Sequence, residues 1–261
     1  MKFKFKIQPF QTEAAESIVK VFSGQLKQGI TKYRRDIGKQ EAQISLDEQE
    51  NDFETGYRNP EVELTKEQLL KNIRRIQTAN NITNSTTLEE GLGVVSLDVE
   101  METGTGKTYV YIKTMFELYQ TYGWSKFIVV VPSIAIREGV KKSFETTQDH
   151  FMELYSIKAR FFVYNSSNLH QLDEYSQNAG INVMIINAQA FNTTMNEEKN
   201  VEGRSGNEAA RIIYTKRDEF GSRRPIDVIK ANRPIIILDE PQKMGGAATQ
   251  NALKKNFNPL F

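Results

Sequence analysis

One short segment of the sequence restricts the possible folds more than any other. Residues 101–108 read METGTGKT and match the last three positions of the phosphate-loop pattern G-x-x-x-x-G-K-[ST], with methionine in place of the first glycine. Gly104 and Gly106 let the backbone curl so that successive N–H groups point at phosphate oxygens. Lys107 would reach the β- and γ-phosphates, and Thr108 would place its hydroxyl on Mg²⁺. A glycine-rich turn with a surface lysine is the alternative, but the neighbouring strand and helix patterns favour a nucleoside triphosphate site.

Apolar runs alternate with helical patterns on both sides of this loop. Phe127–Val131 is an unbroken apolar run that stops at Pro132, and such runs are typical of parallel strands buried on both faces. Helical stripes follow the loop and follow Pro132. We therefore predict an α/β fold with a doubly wound, mostly parallel sheet and helices on both faces. The predicted strands are Val94–Val99, Phe127–Val131, Phe161–Tyr164, Val183–Ile186 and Ile235–Leu238.

An acidic pair follows the last predicted strand. Ile235–Leu238 continues directly into Asp239 and Glu240. Open α/β sheets bind ligands at the carboxyl ends of their strands, where such a pair would lie. Asp239 is then placed to hold Mg²⁺, and Glu240 to orient or deprotonate the attacking water. A solvated strand end would give the same local sequence, and it is the phosphate loop that favours the catalytic interpretation.

Taken together, these residues resemble the superfamily 2 helicases and translocases. Their phosphate loop often reads T-G-x-G-K-T, as Thr103–Thr108 does, and their second motif is Asp-Glu followed by two variable residues. The closer resemblance is to the restriction (Res) subunit of type III restriction-modification enzymes, and it implies the first RecA-like lobe of a P-loop NTPase. It covers roughly Val94–Phe261 and the first helix. The segments that carry it are Met101–Lys107, Lys126–Val140 (KFIVVVPSIAIREGV), Pro234–Gln242 (PIIILDEPQ) and Asn187–Phe191 (NAQAF).

The resemblance implies ATP and Mg²⁺ as cofactors and assigns roles to particular residues. Lys107 and Glu240 would be catalytic, and Thr108 and Asp239 would hold the metal. Gln11 resembles the glutamine that reads adenine, since a planar amide can both donate to and accept from the base edge. An ordinary helix-surface glutamine is the alternative. The implied nucleotide-binding residues are Gln11, Thr103, Gly104, Thr105, Gly106, Lys107, Thr108 and Asp239.

The family also implies a nucleic-acid track and two partners. Ser133 to Gly139 resembles the motif that grips a nucleic-acid backbone, because a loop leading into a helix offers N–H groups to a phosphate and Arg137 adds charge. Gln189 would belong to the same track. A solvated Arg137 is the alternative. The implied partners are double-stranded DNA and the methyltransferase (modification) subunit.

Three functional interpretations remain open from the sequence. The leading one is the motor lobe of a type III restriction enzyme, which couples ATP hydrolysis to movement on duplex DNA before a nuclease domain cuts. The others are the motor lobe of another superfamily 2 translocase, and a nucleotide-gated interaction module without turnover. The family's second lobe supplies an arginine that completes the ATP site. No residues here match that lobe or the nuclease, so we expect this chain alone to hydrolyse ATP weakly.

Composition excludes several classes of site. The 261 residues contain no cysteine, which excludes disulfides and thiolate metal sites and fits a reducing cytoplasm. His150 and His170 have no metal-ligand spacing. The net charge of +1 restricts any DNA contact to local patches. No apolar run is long enough for a membrane span, so we expect a cytoplasmic protein without a membrane partner.

The amino-terminal third is expected to form an accessory region. The alternating start, MKFKFKIQPF, favours a short strand, and Pro9 opens a helix. Residues 36–67 are acid-rich and indicate an exposed, partly irregular insertion, although Thr65 and Gln68 form a capping box for a second helix. Asn80–Gly93 and Asn192–Arg233 are predicted to be loops, the latter with a short helix. We therefore divide the chain into residues 1–93, with Gln11 and the insertion, and a nucleotide-binding core of residues 94–261.

Overall fold

A computed structural model describes residues 5–35, 55–89, 91–192, 208–244 and 246–261. Helices and strands alternate through most of these ranges. The helices are α1 (Pro9–Val21), α2 (Lys66–Ala79), α3 (Lys107–Tyr122), α4 (Ile134–Tyr155), α5 (His170–Gln177), α6 (Glu208–Tyr214), α7 (Pro225–Ala231) and α8 (Ala247–Asn256). The strands are β1 (Thr31–Arg34), β2 (Thr55–Arg58), β3 (Lys126–Val131), β4 (Arg160–Val163), β5 (Asn182–Asn187) and β6 (Ile235–Leu238).

The central sheet is parallel and has the strand order β4-β5-β3-β6. β3 lies between β5 and β6, and each of its residues from Phe127 to Val130 has a partner on both sides. The chain passes through α4 to the far strand β4 and returns through α5 to β5. All four strands therefore end at the same edge of the sheet, where Val131 of β3 is level with Asn187 of β5.

Helices cover both faces of this sheet, as the sequence predicts. Side chains of β3 alternate between the faces, as a strand requires. Phe127, Val129 and Val131 pack into a core with residues of α1, α3 and α4. Ile128 and Val130 pack into a second core with residues of α5, α6, α7 and α8. The α/β fold with a parallel sheet is thus confirmed, and β3 is completely buried because it contributes to both cores.

A network of buried amides joins β2 to the amino ends of the central strands. Asn59 directly follows β2 and is fully buried. Its Oδ1 accepts hydrogen bonds from the N–H groups of Ser125 (2.7 Å) and Lys126 (2.9 Å). Its Nδ2 donates to the carbonyls of Lys126 (2.8 Å) and Arg233 (3.0 Å). One side chain therefore holds the starts of β3 and β6 against the β1–β2 pair.

The predicted strand Val94–Val99 is wrong, because the segment is irregular. Val94 donates to the Leu260 carbonyl (3.0 Å), while Leu260 and Phe261 are hydrogen-bonded to the backbone around β6. Leu260 and Phe261 thus lie between this segment and β6. Of the hydrogen bonds just named, only the one to Val94, at the start of the segment, reaches the segment. Val95–Val99 has no partner strand among the described residues, and a strand needs a neighbouring backbone to satisfy its N–H and C=O groups.

The accessory region agrees with its predicted helices and differs in its strands. α1 begins at Pro9, and α2 begins with the predicted Thr65–Gln68 capping box. Of the predicted N-terminal strand, residues 1–4 lie outside the described residues and residues 5–8 are irregular. Residues 36–54 of the predicted insertion also lie outside them, but residues 55–58 form β2, which pairs antiparallel with β1. Neither strand is predicted by the sequence.

Two further features complete the description. The stretch predicted as a long loop, Asn192–Arg233, contains two helices, α6 and α7, within its described part. No helix of the described residues combines the length and apolar character that crossing a bilayer requires.

We predict that Asn59→Ala destabilises the protein by about 3 kcal/mol, because it leaves buried backbone groups of Ser125, Lys126 and Arg233 without partners. Urea unfolding followed by circular dichroism measures the change. Asn168→Ala is the matched control, since Asn168 is an exposed asparagine outside this network and its loss should stay within about 0.5 kcal/mol. Equal stabilities of the two variants would show that the amide network does not hold the strand starts.

Candidate nucleotide site and adjoining groove

The phosphate loop leads into α3 through two glycines in the left-handed region. Gly104 has φ 82° and Gly106 has φ 90°. Gly106 is the residue before the helix and has no side chain, so no side-chain cap covers the first N–H groups of α3. The loop is closed by Thr105, whose hydroxyl donates to the Glu102 carbonyl (2.6 Å). An open helix N-terminus with N–H groups pointing outward is a favourable place for an anion.

Gln11 of α1 lies directly on this loop. Its Nε2 donates to the Thr105 carbonyl (2.8 Å), and a Cβ added at Gly106 would lie 2.5 Å from the same nitrogen. The structure thus brings Gln11 to the predicted nucleotide site. It also gives this side chain a partner that the sequence does not predict, which is the loop backbone itself.

The acidic pair lies at the carboxyl end of β6, facing the start of α3. The Asp239 N–H donates to the Val130 carbonyl (3.0 Å), which extends the β3–β6 pairing by one residue. The Tyr111 hydroxyl donates to Asp239 Oδ2 (3.4 Å). Burial raises the pKa of the Asp239 carboxyl and the charge of Glu240 raises it further, whereas the Tyr111 hydrogen bond and the Lys107 charge lower it.

The backbone leaves the extended conformation of β6 at Glu240. Its φ of 57° is left-handed, which is uncommon for a residue with a side chain. Its carboxylate forms an ion pair with Lys243 (2.5 Å), and this contact lowers the pKa of Glu240. The two neighbouring carboxyls are thereby distinguished, since one is partly buried with a raised pKa and the other has a lysine partner.

An open groove of about 1010 Å³ adjoins the carboxyl ends of β3, β4 and β5. The three predicted DNA-binding residues all line it. Ser133 caps α4 by accepting from the Ile136 N–H (3.3 Å). Arg137 lies between Glu138 (3.1 Å) and Asn187 (3.4 Å). Gln189 donates to the Pro132 carbonyl (2.8 Å), which fixes the turn between β3 and α4. The structure therefore brings together residues from two separate segments of the sequence.

Comparison with known proteins identifies the family. Residues 4–261 match the family described as the type III restriction enzyme, res subunit. The chain belongs to this Res family. The parallel sheet with helices on both faces is therefore the RecA-like helicase fold of the Res family, as the sequence resemblance implies.

Three curated relatives illustrate the match of this Res-family chain. It is 30% identical over 221 residues to the type III restriction-modification enzyme EcoP15I Res subunit of Escherichia coli, covering 78% of this chain and 21% of the relative. It is 32% identical over 216 residues to the EcoPI Res subunit of Escherichia phage P1, with the same coverage. It is 34% identical over 166 residues to the StyLTI Res subunit of Salmonella typhimurium, covering 57% and 16%. The chain thus spans about a fifth of the length of the relatives with the longest matches, and its matches support a type III restriction enzyme motor domain.

The side chains of this Res domain fit a nucleotide-bound magnesium ion better than a metal held by protein alone. No cluster of three His, Asp or Glu side chains occurs within the described ranges. Mg²⁺ commonly keeps several waters and binds through one or two carboxylates plus substrate phosphates. Thr108 and Asp239 offer the corresponding oxygens next to the Lys107 ammonium. The chemistry of this donor set matches a metal that arrives with a triphosphate.

Several residues of the two sites are not found from the sequence. Tyr111 belongs to no recognised motif, although its position three residues after Thr108 places both on one face of α3. The groove is further lined by side chains from α4, from the turn after β4 and from α5. These are Lys141, Asn165, Ser166 and Gln171. Lys141 lies one helical turn after Arg137 on α4, but Asn165, Ser166 and Gln171 lie in segments without a recognisable motif, and only the tertiary fold brings these three residues beside Arg137.

We predict that Gly106→Ala is more destabilising than Gly104→Ala by about 1 kcal/mol, the usual net contribution of one hydrogen bond. Both glycines have positive φ, so the backbone strain is similar, but only at Gly106 would the new methyl displace Gln11 from the Thr105 carbonyl. Urea unfolding compares the two. In a Gln11→Ala background the difference should disappear, and its persistence there would contradict the assigned contact.

Proposed function

We propose that this chain is the ATP-binding motor lobe of a type III restriction enzyme, using ATP with Mg²⁺ to drive movement on duplex DNA. One observation carries the proposal. The uncapped N-terminus of α3, with Lys107 and Thr108, faces the Asp239 carboxylate at the end of β6, and Gln11 lies against the loop that leads into α3. We also propose that residues 94–261 act as the nucleotide-binding core, and residues 1–93 as an accessory region that supplies Gln11.

The proposed roles follow from charge and position. Lys107 offsets the negative charge of the β- and γ-phosphates, while the loop N–H groups from Thr103 to Lys107 bind their oxygens. Thr108 and Asp239 hold the magnesium ion, which supplies positive charge to the phosphate oxygens when it is bound. Gln11 reads the adenine edge through its amide.

Glu240 acts as the residue that orients or deprotonates the attacking water. Its carboxylate can accept a hydrogen bond from that water, and the pKa that Lys243 lowers favours orienting the water over taking its proton. The Lys243 ion pair holds it on one side of the partly buried Asp239. The two adjacent carboxylates therefore have different roles: Asp239 binds the metal, and Glu240 acts on the attacking water.

The groove is proposed to take the backbone of a DNA strand. Arg137 and Lys141 supply positive charge, and Ser133, Gln189 and the neighbouring amides supply hydrogen bonds that do not depend on base sequence. Arg137 would exchange its contact with Glu138 for a phosphate oxygen. As part of a type III enzyme, the chain would work in the cytoplasm with a methyltransferase subunit and with a nuclease that cuts the DNA.

We predict that Lys107→Ala abolishes the stabilisation of the protein by ATP and Mg²⁺. A ligand that binds only the folded state at about ten times its Kd stabilises by about 1.4 kcal/mol, which appears as a raised melting temperature. Thermal melting with and without Mg²⁺-ATP measures the effect. Lys71→Ala, at an exposed position of α2, is the control and should keep the full shift. An unchanged shift in Lys107→Ala would refute the phosphate-loop assignment.

We predict that Arg137→Ala and Lys141→Ala each weaken duplex DNA binding and flatten its salt dependence. Each phosphate contact contributes about 0.9 to the slope of log affinity against log salt, so losing one contact should lower the slope by about that amount. Fluorescence anisotropy with a labelled duplex at several salt concentrations gives the slope. Lys142→Ala removes the same charge from the exposed side of α4, outside the groove, and should leave the slope unchanged. Equal effects of Lys141→Ala and Lys142→Ala would place the DNA elsewhere.

A further inference from the structure

We propose that Tyr111 is a positioning residue of the metal site, whose hydroxyl orients the two oxygen ligands Thr108 and Asp239 toward the cation. The inference rests on the proposed function, because it concerns the same magnesium ion. Tyr111 is not part of the phosphate loop or of the acidic pair. It is a third side chain, which contacts Asp239 and lies one helical turn after Thr108 on α3.

The geometry places one hydroxyl between two segments that are far apart in the sequence. Tyr111 donates to Asp239 Oδ2 (3.4 Å) across 128 residues of chain. The Thr108 side chain lies one helical turn earlier on the same face of α3. Tyr111 therefore links the start of α3 to the end of β6 at the point where the proposed metal ligands face each other.

The Tyr111 hydroxyl can donate and accept hydrogen bonds in the directions that metal binding needs. A phenol has one O–H to donate and lone pairs to accept with. Donation to Oδ2 fixes the rotation of the Asp239 carboxylate and leaves Oδ1 to the cation. The phenol oxygen can also accept a hydrogen bond from the Thr108 hydroxyl, which would leave the lone pairs of the Thr108 oxygen facing the metal. A ligand hydroxyl cannot point its proton at a cation, and Tyr111 gives that proton another acceptor.

The tyrosine ring is held firmly enough to act in this way. It packs against the core formed by α1, α3, α4 and one face of the sheet. A phenol anchored by its ring has little freedom to move its hydroxyl, so the positions of both ligands are set before a metal arrives. Groups that orient metal ligands in this manner commonly change metal affinity by 10–100-fold when they are removed.

The test separates metal binding from nucleotide binding on the full chain Met1–Phe261. The variant is Tyr111→Phe, which keeps the ring and removes the hydroxyl. Two affinities are measured: that for ADP in the presence of EDTA, and that for Mn²⁺ in the presence of saturating ADP, by electron paramagnetic resonance of free Mn²⁺. We expect Mn²⁺ affinity to fall about tenfold, with the metal-free ADP affinity unchanged. A merely structural role of Tyr111 would lower both.

Two further variants sharpen the result. Tyr119→Phe, on the same helix three turns after Thr108, removes a phenol hydroxyl away from the site and should change neither affinity. Replacing Tyr111 with 4-aminophenylalanine restores a hydrogen-bond donor and should regain most of the lost Mn²⁺ affinity. Unchanged Mn²⁺ affinity in Tyr111→Phe, or an equal loss of metal-free ADP affinity, would overturn the positioning role while leaving the proposed function intact. Absence of Mn²⁺ binding by the unsubstituted protein with ADP would overturn both.

Discussion

The pairing of β3 on both sides is the constraint from which the two sites follow. Its residues are completely buried, because alternate side chains enter opposite cores, and its backbone bonds to β5 and β6 in register. The chain leaving β3, β5 and β6 therefore emerges at one edge of the sheet. Asp239 arrives there through one more backbone hydrogen bond to Val130, and the groove-lining Ser133 and Asn187 arrive beside it. The proposed nucleotide site and the proposed DNA-binding groove thus lie at a common edge because one buried strand pairs on both sides.

The strands could be predicted where burial on both faces requires an unbroken apolar run. They could not be predicted where a strand depends on pairing with a segment that is distant in the sequence. The apolar runs of β3, β5 and β6 mark strands covered on both faces, and their bounds differ from the predictions by about one residue, as is usual at element ends. Val94–Val99 is apolar at four of its six positions but lacks a partner strand within the described residues. β1 and β2 show the opposite case, since TKYR and TGYR carry no apolar run and become strands by pairing with each other and packing on α5.

The same division applies to the candidate sites. The phosphate loop and the acidic pair are local motifs, whose chemistry can be deduced from residue types at fixed spacing. The contacts that join them are not local, because Gln11 meets Thr105 across 94 residues and Tyr111 meets Asp239 across 128. A sequence shows which groups can bind phosphate and metal. Only the packing of α1 on α3, and of α3 beside β6, shows which side chains orient those groups.

The antiparallel β1–β2 pair has a consequence for how this domain tolerates change. Arg34 and Thr55 are register partners, and Asn59 fixes the end of β2 to the amino ends of β3 and β6, opposite the edge that carries both sites. Arg34 and Thr55 are therefore held close to each other. Changing the number of residues between two such fixed points costs an amount of loop entropy that grows only with the logarithm of that number. Because the β1–β2 pairing and Asn59 fix both ends of this segment, we expect a segment of another length, or a reporter domain, at positions 36–54 to leave the opposite edge of the sheet unchanged.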